Sequence, residues 1–255
     1  MEVQFNPFSL EGKTILITGA SSGIGRQCAI DCSRMGAKVV AVARSQERLQ
    51  ATLSLLSGEG HKYYSYDLSN LDCIKDLVSK IVTENGKLSG LICAAGIEKT
   101  APAKLLKPSD YEELFRINTL SAFEIARQIT SVRYFENKGG VLFISSITSI
   151  IARSGTAAYS ASKGALVSGA RVLATELSKR GIRVNCISPG TILTPMMQDY
   201  LSSLSDKEYD KRIDGFPLGL GKTTDVSLAC VFLLSDASRW ITGQNLIIDG
   251  GFTIR

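Results

Sequence analysis

Short apolar runs punctuate the chain at residues 14–18, 38–43, 91–94, 141–145, 183–187 and 245–248, with longer stretches of helical character between them. Within the second run Val39, Val40, Ala41, Val42 and Ala43 follow one another without the in-and-out alternation of a half-exposed strand. A strand reads that way when helices cover both faces of a parallel sheet. Strand and helix in alternation therefore predict a doubly wound α/β fold. Gly36 and Gly181 are placed to end helices, Gly58 and Gly60 to open a further strand, and Gly86 and Gly90 to bracket a turn. No Pro/Gly/Ser linker and no internal repeat divides the chain, so a single domain over residues 1–255 is expected.

One stretch breaks the rhythm. Residues 194–221 contain Pro195, Met196, Met197, alternating charges and Pro217, and no strand run. That is long for a connection and points to a lid or substrate loop, with a plain surface excursion carrying a short helix as the alternative.

Composition adds exclusions. Hydrophobic residues make up 44% and charged residues 21% of the chain, which suits a packed core and not a disordered segment. The net charge of +5 is spread along the sequence with no Lys/Arg run, which argues against nucleic acid and leaves room for an anionic cofactor or an acidic carrier. Six cysteines without CxxC spacing and a single histidine, His61, offer no metal site; buried, reduced thiols are expected. Residues 1–10 show no basic segment followed by a long apolar one, and no apolar run reaches about 18 residues. The expectation is a cytoplasmic protein with no membrane partner.

The first strand runs directly into Thr18-Gly19-Ala20-Ser21-Ser22-Gly23-Ile24-Gly25, after which a helix begins. Glycines let backbone N–H groups approach a pyrophosphate, and the helix N-terminus favours its charge. The order strand, loop, helix is the context a dinucleotide site requires. The spacing is GxxxGxG, and Thr18-Gly-x-x-x-Gly-Ile-Gly resembles the cofactor motif of the short-chain dehydrogenase/reductase family.

A second cluster extends the resemblance. Tyr159 and Lys163, in Tyr-Ser-Ala-Ser-Lys, lie four apart at the start of a helical stretch running to about residue 180, so both side chains share one helix face. An ammonium near a phenol favours the phenolate. Ser146 closes the strand-like Phe143-Ile-Ser-Ser146, and Asn118 lies in Phe115-Arg-Ile-Asn118 inside a long helical stretch. In order and separation these are similar to the family's Asn, Ser, Tyr, Lys tetrad. The resemblance implies that Tyr159 protonates the carbonyl oxygen as hydride arrives and that Ser146 bonds the same oxygen. It implies that Lys163 lowers the Tyr159 pKa and holds the nicotinamide ribose, and that Asn118 positions a water for proton relay.

The family likeness spans residues 10–252 and implies a Rossmann fold, with a mostly or wholly parallel sheet of about seven strands and helices on both faces. Ser188-Pro189-Gly190-Thr191-Ile192-Leu193-Thr194 resembles the segment that packs on the nicotinamide side, with Pro189, Gly190, Ile192 and Thr194 carried over as cofactor contacts. Asp67 and Leu68 resemble an adenine-contacting pair, although a turn acid explains Asp67 equally well. Cys93-Ala94-Ala95-Gly96 stands where the family usually has Asn-Asn-Ala-Gly, so an amide bracing the sheet is missing while Ala95 and Gly96 keep the close backbone approach. After the second strand Ala43 occupies the family's acidic position and Arg44 follows. A guanidinium there suits a 2′-phosphate, so NADP(H) is expected, with NAD(H) as the alternative.

The implied activity is reduction of a ketone to a secondary alcohol. A 3-oxoacyl-[acyl-carrier-protein]-like substrate comes first, from Phe216-Pro-Leu-Gly-Leu and the Thr-Gly-Gln ending, and a sugar or polyol second. Ile147, Arg153, Ser154, Glu98 and Met196 are candidates for the pocket border. A homotetramer or homodimer is implied by the closing strand. From another class, a non-catalytic nucleotide-binding regulator remains the alternative.

Overall fold

The computed structural model describes residues 6–202, 204, 205 and 213–254. In chain order the strands are β1 (Thr14–Thr18), β2 (Lys38–Ala43), β3 (Lys62–Ser65), β4 (Leu88–Cys93), β5 (Phe135–Ile144), β6 (Arg183–Pro189), β7 (Ile192–Leu193), β8 (Gly221–Lys222) and β9 (Asn245–Ile248). The α-helices used below are α1 (Gly23–Arg34), α2 (Gln46–Leu53), α3 (Ile74–Asn85), α4 (Pro108–Phe115), α5 (Ser121–Ile129), α6 (Ala157–Leu177), α7 (Pro195–Ser202) and α8 (Thr223–Leu234).

Seven strands form one sheet in the order β3-β2-β1-β4-β5-β6-β9, and every pairing is parallel. This is the doubly wound Rossmann-type fold expected from the alternation. Successive strand residues point to opposite faces. Leu16, Val40 and Val42 therefore join one buried cluster with residues of α3, α5 and α6. Their neighbours Ile15, Ile17, Val39 and Ala41 join a second cluster with α1 and α8. Two apolar faces explain the unbroken apolar runs.

Three boundaries differ from the sequence reading. Strand β4 starts at Leu88 and β5 at Phe135, several residues before their apolar runs, with a register shift between Leu88 and Gly90. Exposed Glu136, Asn137 and Lys138 hid that extension, because backbone pairing does not require an apolar side chain. Residues 194–221 are not free of strand: β8 starts at Gly221 and pairs with β7, closing the base of the loop. Five cysteines are buried as expected, but Cys73 is exposed. No helix among the described residues is long and apolar enough to cross a membrane.

The strand order reverses between β1 and β4, since chain connections leave these neighbours in opposite directions across the sheet. A crevice opens at such a switch point beyond the carboxyl ends of the strands, where ligands bind in this architecture.

Candidate active site at the carboxyl edge of the sheet

The glycine loop fills the crevice between β1 and β4. Gly19 has φ of 69°, and a Cβ on it would lie 2.8 Å from the Ala95 nitrogen and 2.9 Å from the Ala94 carbonyl. A Cβ on Gly25 would meet the Gly19 carbonyl oxygen at 2.4 Å. The turn therefore closes only because both positions lack side chains. Ser22 caps α1 with extended backbone and spends no side-chain hydrogen bond on the helix, whose first turn carries no acidic residue. Unscreened N–H groups and the positive helix end make this a cradle that fits a pyrophosphate. The Arg26 guanidinium braces it from behind, donating to the Ser21 carbonyl at 2.5 Å and to Thr52 Oγ1 at 3.1 Å. Gly23 packs beside Thr194, whose Cγ2 would stand 3.2 Å from an added Cβ, so the loop after β7 reaches the same cradle.

Around this cradle the remaining cofactor candidates fall into place unevenly. Exposed Arg44 follows β2, and its charge reaches Asp67. The Asp67 carboxylate accepts from the Ser69 backbone N–H at 2.9 Å, which with Arg44 holds its pKa below the usual carboxylate range. Asp67 is thus engaged in a turn of its own. Leu68 is buried in the core cluster that carries α3. Ala95 donates its backbone N–H to Thr18 Oγ1 at 3.2 Å, so the threonine of the glycine motif braces β4 where the usual asparagine is absent. Pro189 ends β6, Gly190 donates to the Ile248 carbonyl at 2.8 Å, and Ile192 is buried on β7. The Met196 side chain and residues 203 and 206–212 of the expected substrate loop lie outside the described residues.

Four side chains from three separate segments meet next to this cradle. Helix α6 is pinned from two sides: Ser145 Oγ, just after β5, donates to the Lys163 carbonyl at 2.9 Å, and Thr119 Oγ1, between α4 and α5, to the Ser162 carbonyl at 2.8 Å. That places Lys163 Nζ 2.8 Å from the Ile144 carbonyl and 5.9 Å from the Tyr159 ring centre. A Cβ on Gly96 would lie 3.1 Å from Asn118 Oδ1 and 3.2 Å from Lys163 Nζ, so Gly96 leaves room for both. Ser146 caps the short turn Ile147–Ser149, and its Oγ accepts from Thr148 N at 3.2 Å and Thr148 Oγ1 at 3.0 Å. The Ser146 hydroxyl also acts on the Tyr159 phenol, favouring its ionised form.

Asn118 sits in a π-helical turn, Arg116–Leu120, that interrupts the run from α4 to α5. Such widened turns are frequent at functional sites. Its Oδ1 accepts from the Ile97 N–H at 2.8 Å, while Nδ2 donates to the Ile97 carbonyl and to Ser162 Oγ, both at 3.0 Å. The amide is spent as a clasp between the loop after β4 and α6.

The electrostatics depart from the sequence reading. Tyr159 keeps partial solvent access as a residue, yet packing round its ring pushes the phenol up to about 12, with the Glu98 carboxylate adding to the rise. The Ser146 hydrogen bond and the Arg153 charge oppose it and lose. Lys163, 5% exposed, is pushed down to about 8 by burial, against the pull of Cys186, Cys93 and Glu98. Burial sets the direction at the phenol, against the pull expected of Lys163. Its ammonium is committed to the Ile144 carbonyl, and desolvation outweighs it.

Sequence reasoning gave no role of their own to Thr148, Thr18 and Ser162, which touch Ser146, Ala95 and Asn118. Only their positions inside or next to the motifs signalled them.

Comparison with known proteins bears on this geometry. A family model described as Enoyl-(Acyl carrier protein) reductase matches residues 19–253. A 3-oxoacyl-[acyl-carrier-protein] reductase of Thermotoga maritima is 34% identical over 96% of this chain and 99% of its own length. A glucose 1-dehydrogenase of Gluconobacter oxydans is 36% identical over 95% of this chain and 92% of its own. Among solved structures, a Beutenbergia cavernae protein with bound NADP at low occupancy superposes with a TM-score of 0.87 and 30% identity. It covers 98% of this chain and 100% of its own.

Proposed function

Since the chain belongs to the short-chain dehydrogenase/reductase family, we propose that it interconverts a ketone and a secondary alcohol with NADP(H), using Tyr159, Ser146, Lys163 and Asn118. The family's enzymes are NAD(P)-dependent oxidoreductases acting on alcohol and ketone groups. The observation that carries the reading is the Ser146–Tyr159–Lys163 arrangement standing beside a cradle whose turn closes only on glycines.

The glycine loop and the α1 N-terminus would hold the pyrophosphate, Arg44 the 2′-phosphate, and Lys163 the nicotinamide ribose. When bound, the dinucleotide supplies the hydride. At neutral pH the Tyr159 phenol keeps its proton and passes it to the substrate oxygen, while the Ser146 hydroxyl donates to that same oxygen. The Asn118 clasp and the Ser145 bond hold α6, and with it Tyr159, in register with the cradle. In the oxidative direction the phenolate is the base. A phenol held near 12 therefore makes alcohol oxidation rise with pH.

Of the substrate classes the sequence suggests, the charged pair Glu98–Arg153 near Tyr159 favours a sugar or polyol over a 3-oxoacyl thioester. Exposed Trp240 and the half-exposed Leu246 and Ile247 of β9 support assembly into a dimer or tetramer. The proposal also takes the whole chain as one catalytic domain working in the cytoplasm. Turnover of a panel of ketones, alcohols and β-ketoacyl thioesters with NADPH, NADH and their oxidised forms is the test. Activity with NADP(H) is expected, and a failure of every pair to react would overturn the reading.

A further inference from the structure

Two loops meet beside the acid-base phenol, and each brings one charge. Glu98 follows Gly96, whose Cα faces Lys163 Nζ, by two residues in the loop after β4. Arg153 lies just before α6, where its carbonyl accepts from Thr156 N at 3.3 Å and Thr156 Oγ1 at 2.8 Å. The loops are joined by Ala101 N donating to the Gly155 carbonyl at 2.9 Å and by close packing of Gly155 on Thr100. Arg153 NH1 stands 3.6 Å from Glu98 Oε1, with both side chains about 30% exposed. Thr100 Oγ1 adds a bond to the same carboxylate oxygen at 3.3 Å. The adjacent Lys99 is held elsewhere, on Asp110 at 2.5 Å. Both charges are felt at the Tyr159 phenol, and Glu98 is felt at Lys163 as well.

This pair is poorly suited to an acyl chain. An alkyl group laid against it would strip water from both charges and return no hydrogen bond, which is costly. An anionic substrate would gain Arg153 and face repulsion from Glu98. A neutral molecule with several hydroxyls can donate to the carboxylate and accept from the guanidinium at once, replacing water without breaking the charge balance.

We propose that Glu98 and Arg153 form the substrate-recognition clamp of this site and that they select a neutral polyhydroxylated alcohol or ketone, a sugar or sugar alcohol. This rests on the oxidoreductase reading above and assigns its substrate class. The reaction oxidises one secondary alcohol carbon to a ketone: hydride leaves carbon for NADP+, and the hydroxyl proton leaves through Tyr159.

The test is oxidation, with NADP+ and NAD+, of glucose, threitol and sorbitol, of gluconate, of cyclohexanol as a hydroxyl-poor alcohol, and of a 3-hydroxybutyryl thioester. At least one neutral polyol is expected to exceed cyclohexanol and the thioester by roughly tenfold or more in kcat/KM, because the poorer substrates displace water from the pair and leave its charges unpaired. Glu98→Gln and Arg153→Ala should each lower kcat/KM for that polyol by roughly 10- to 100-fold, mainly through KM, and act far less on cyclohexanol. Arg153→Lys should recover part of the loss. Absence of turnover with every neutral polyol, preference for the thioester or gluconate, or equal losses on polyol and cyclohexanol would each overturn the clamp. A parallel Tyr159→Phe arm separates the two readings. If it abolishes turnover while the clamp variants fail to discriminate, only the clamp is lost; if it leaves turnover intact, the underlying mechanism is lost.

Discussion

The glycine cradle and the tyrosine cluster share one sheet edge yet are made of different materials. The cradle is backbone: its shape depends on missing side chains at Gly19 and Gly25, and its charge is that of a helix end. The cluster is side chain: Ser146, Tyr159, Lys163 and Asn118 come from the end of β5, from α6 and from a π-turn, and hydrogen bonds between neighbours hold them. A backbone site fails by steric displacement, so binding and folding suffer together. A side-chain site can lose its chemistry while the fold survives.

Substitutions can break that contrast, beginning with the largest expected effect. Tyr159→Phe should cut turnover by about 10² to 10⁴-fold with dinucleotide affinity and melting temperature nearly intact, as read by kinetics, fluorescence titration and calorimetry. Gly25→Ala should do the reverse in kind. Its methyl meets the Gly19 carbonyl, so stability should fall by ~1–3 kcal/mol and dinucleotide affinity by about 10- to 100-fold, with turnover at saturation less affected. If Gly25→Ala binds normally, the cradle is not where the pyrophosphate sits. Arg44→Ala should weaken NADPH by about 10-fold or more and leave NADH little changed, since only the 2′-phosphate pairs with the guanidinium; equal effects would remove the preference for NADP(H).

The subtlest test uses pH. Burial lowers Lys163 from 10.5 to about 8, so between those values the unfolded chain holds a proton that the folded chain has shed. Stability owed to this group therefore rises as pH climbs from about 8 toward 10.5, and below 8 the folded protein carries the full cost of a buried ammonium. Lys163→Met should accordingly be stabilised relative to the parent chain at pH 7 and lose most of that advantage by pH 10, a swing of up to ~3 kcal/mol in urea melts. Tyr159 and the buried thiols contribute to both proteins and largely cancel in the difference. A pH-independent difference would mean that Lys163 is not desolvated.

Legibility followed the same division. The GxxxGxG spacing encodes the cradle because a glycine requirement is local: Gly25 clashes with Gly19, six residues away. Tyr159 and Lys163 were readable as a pair through helix periodicity, and their neighbours Ser146 and Asn118 only through order along the chain. Lost to a linear reading were the π-turn at Arg116–Leu120, the Thr18 bond that replaces the missing asparagine amide, and the early starts of β4 and β5. The Thr18 bond and the strand starts each depend on a backbone or hydroxyl group meeting a partner far along the chain, which no local pattern of hydrophobicity records. Thr18 and Ala95, for example, are 77 residues apart.

The amino-acid order alone determined the alternation of strands and helices, the buried character of both sheet faces, and which side chains could carry acid-base chemistry. Those are properties of single residues and their near neighbours, set by covalent geometry and the preference of apolar groups for burial. Tertiary structure decided the protonation landscape: whether the lysine or the desolvated surroundings govern the phenol, and that Glu98 and Arg153 face one another beside it. Such outcomes depend on distance and on water excluded by packing, and both come into being only when remote segments are brought together.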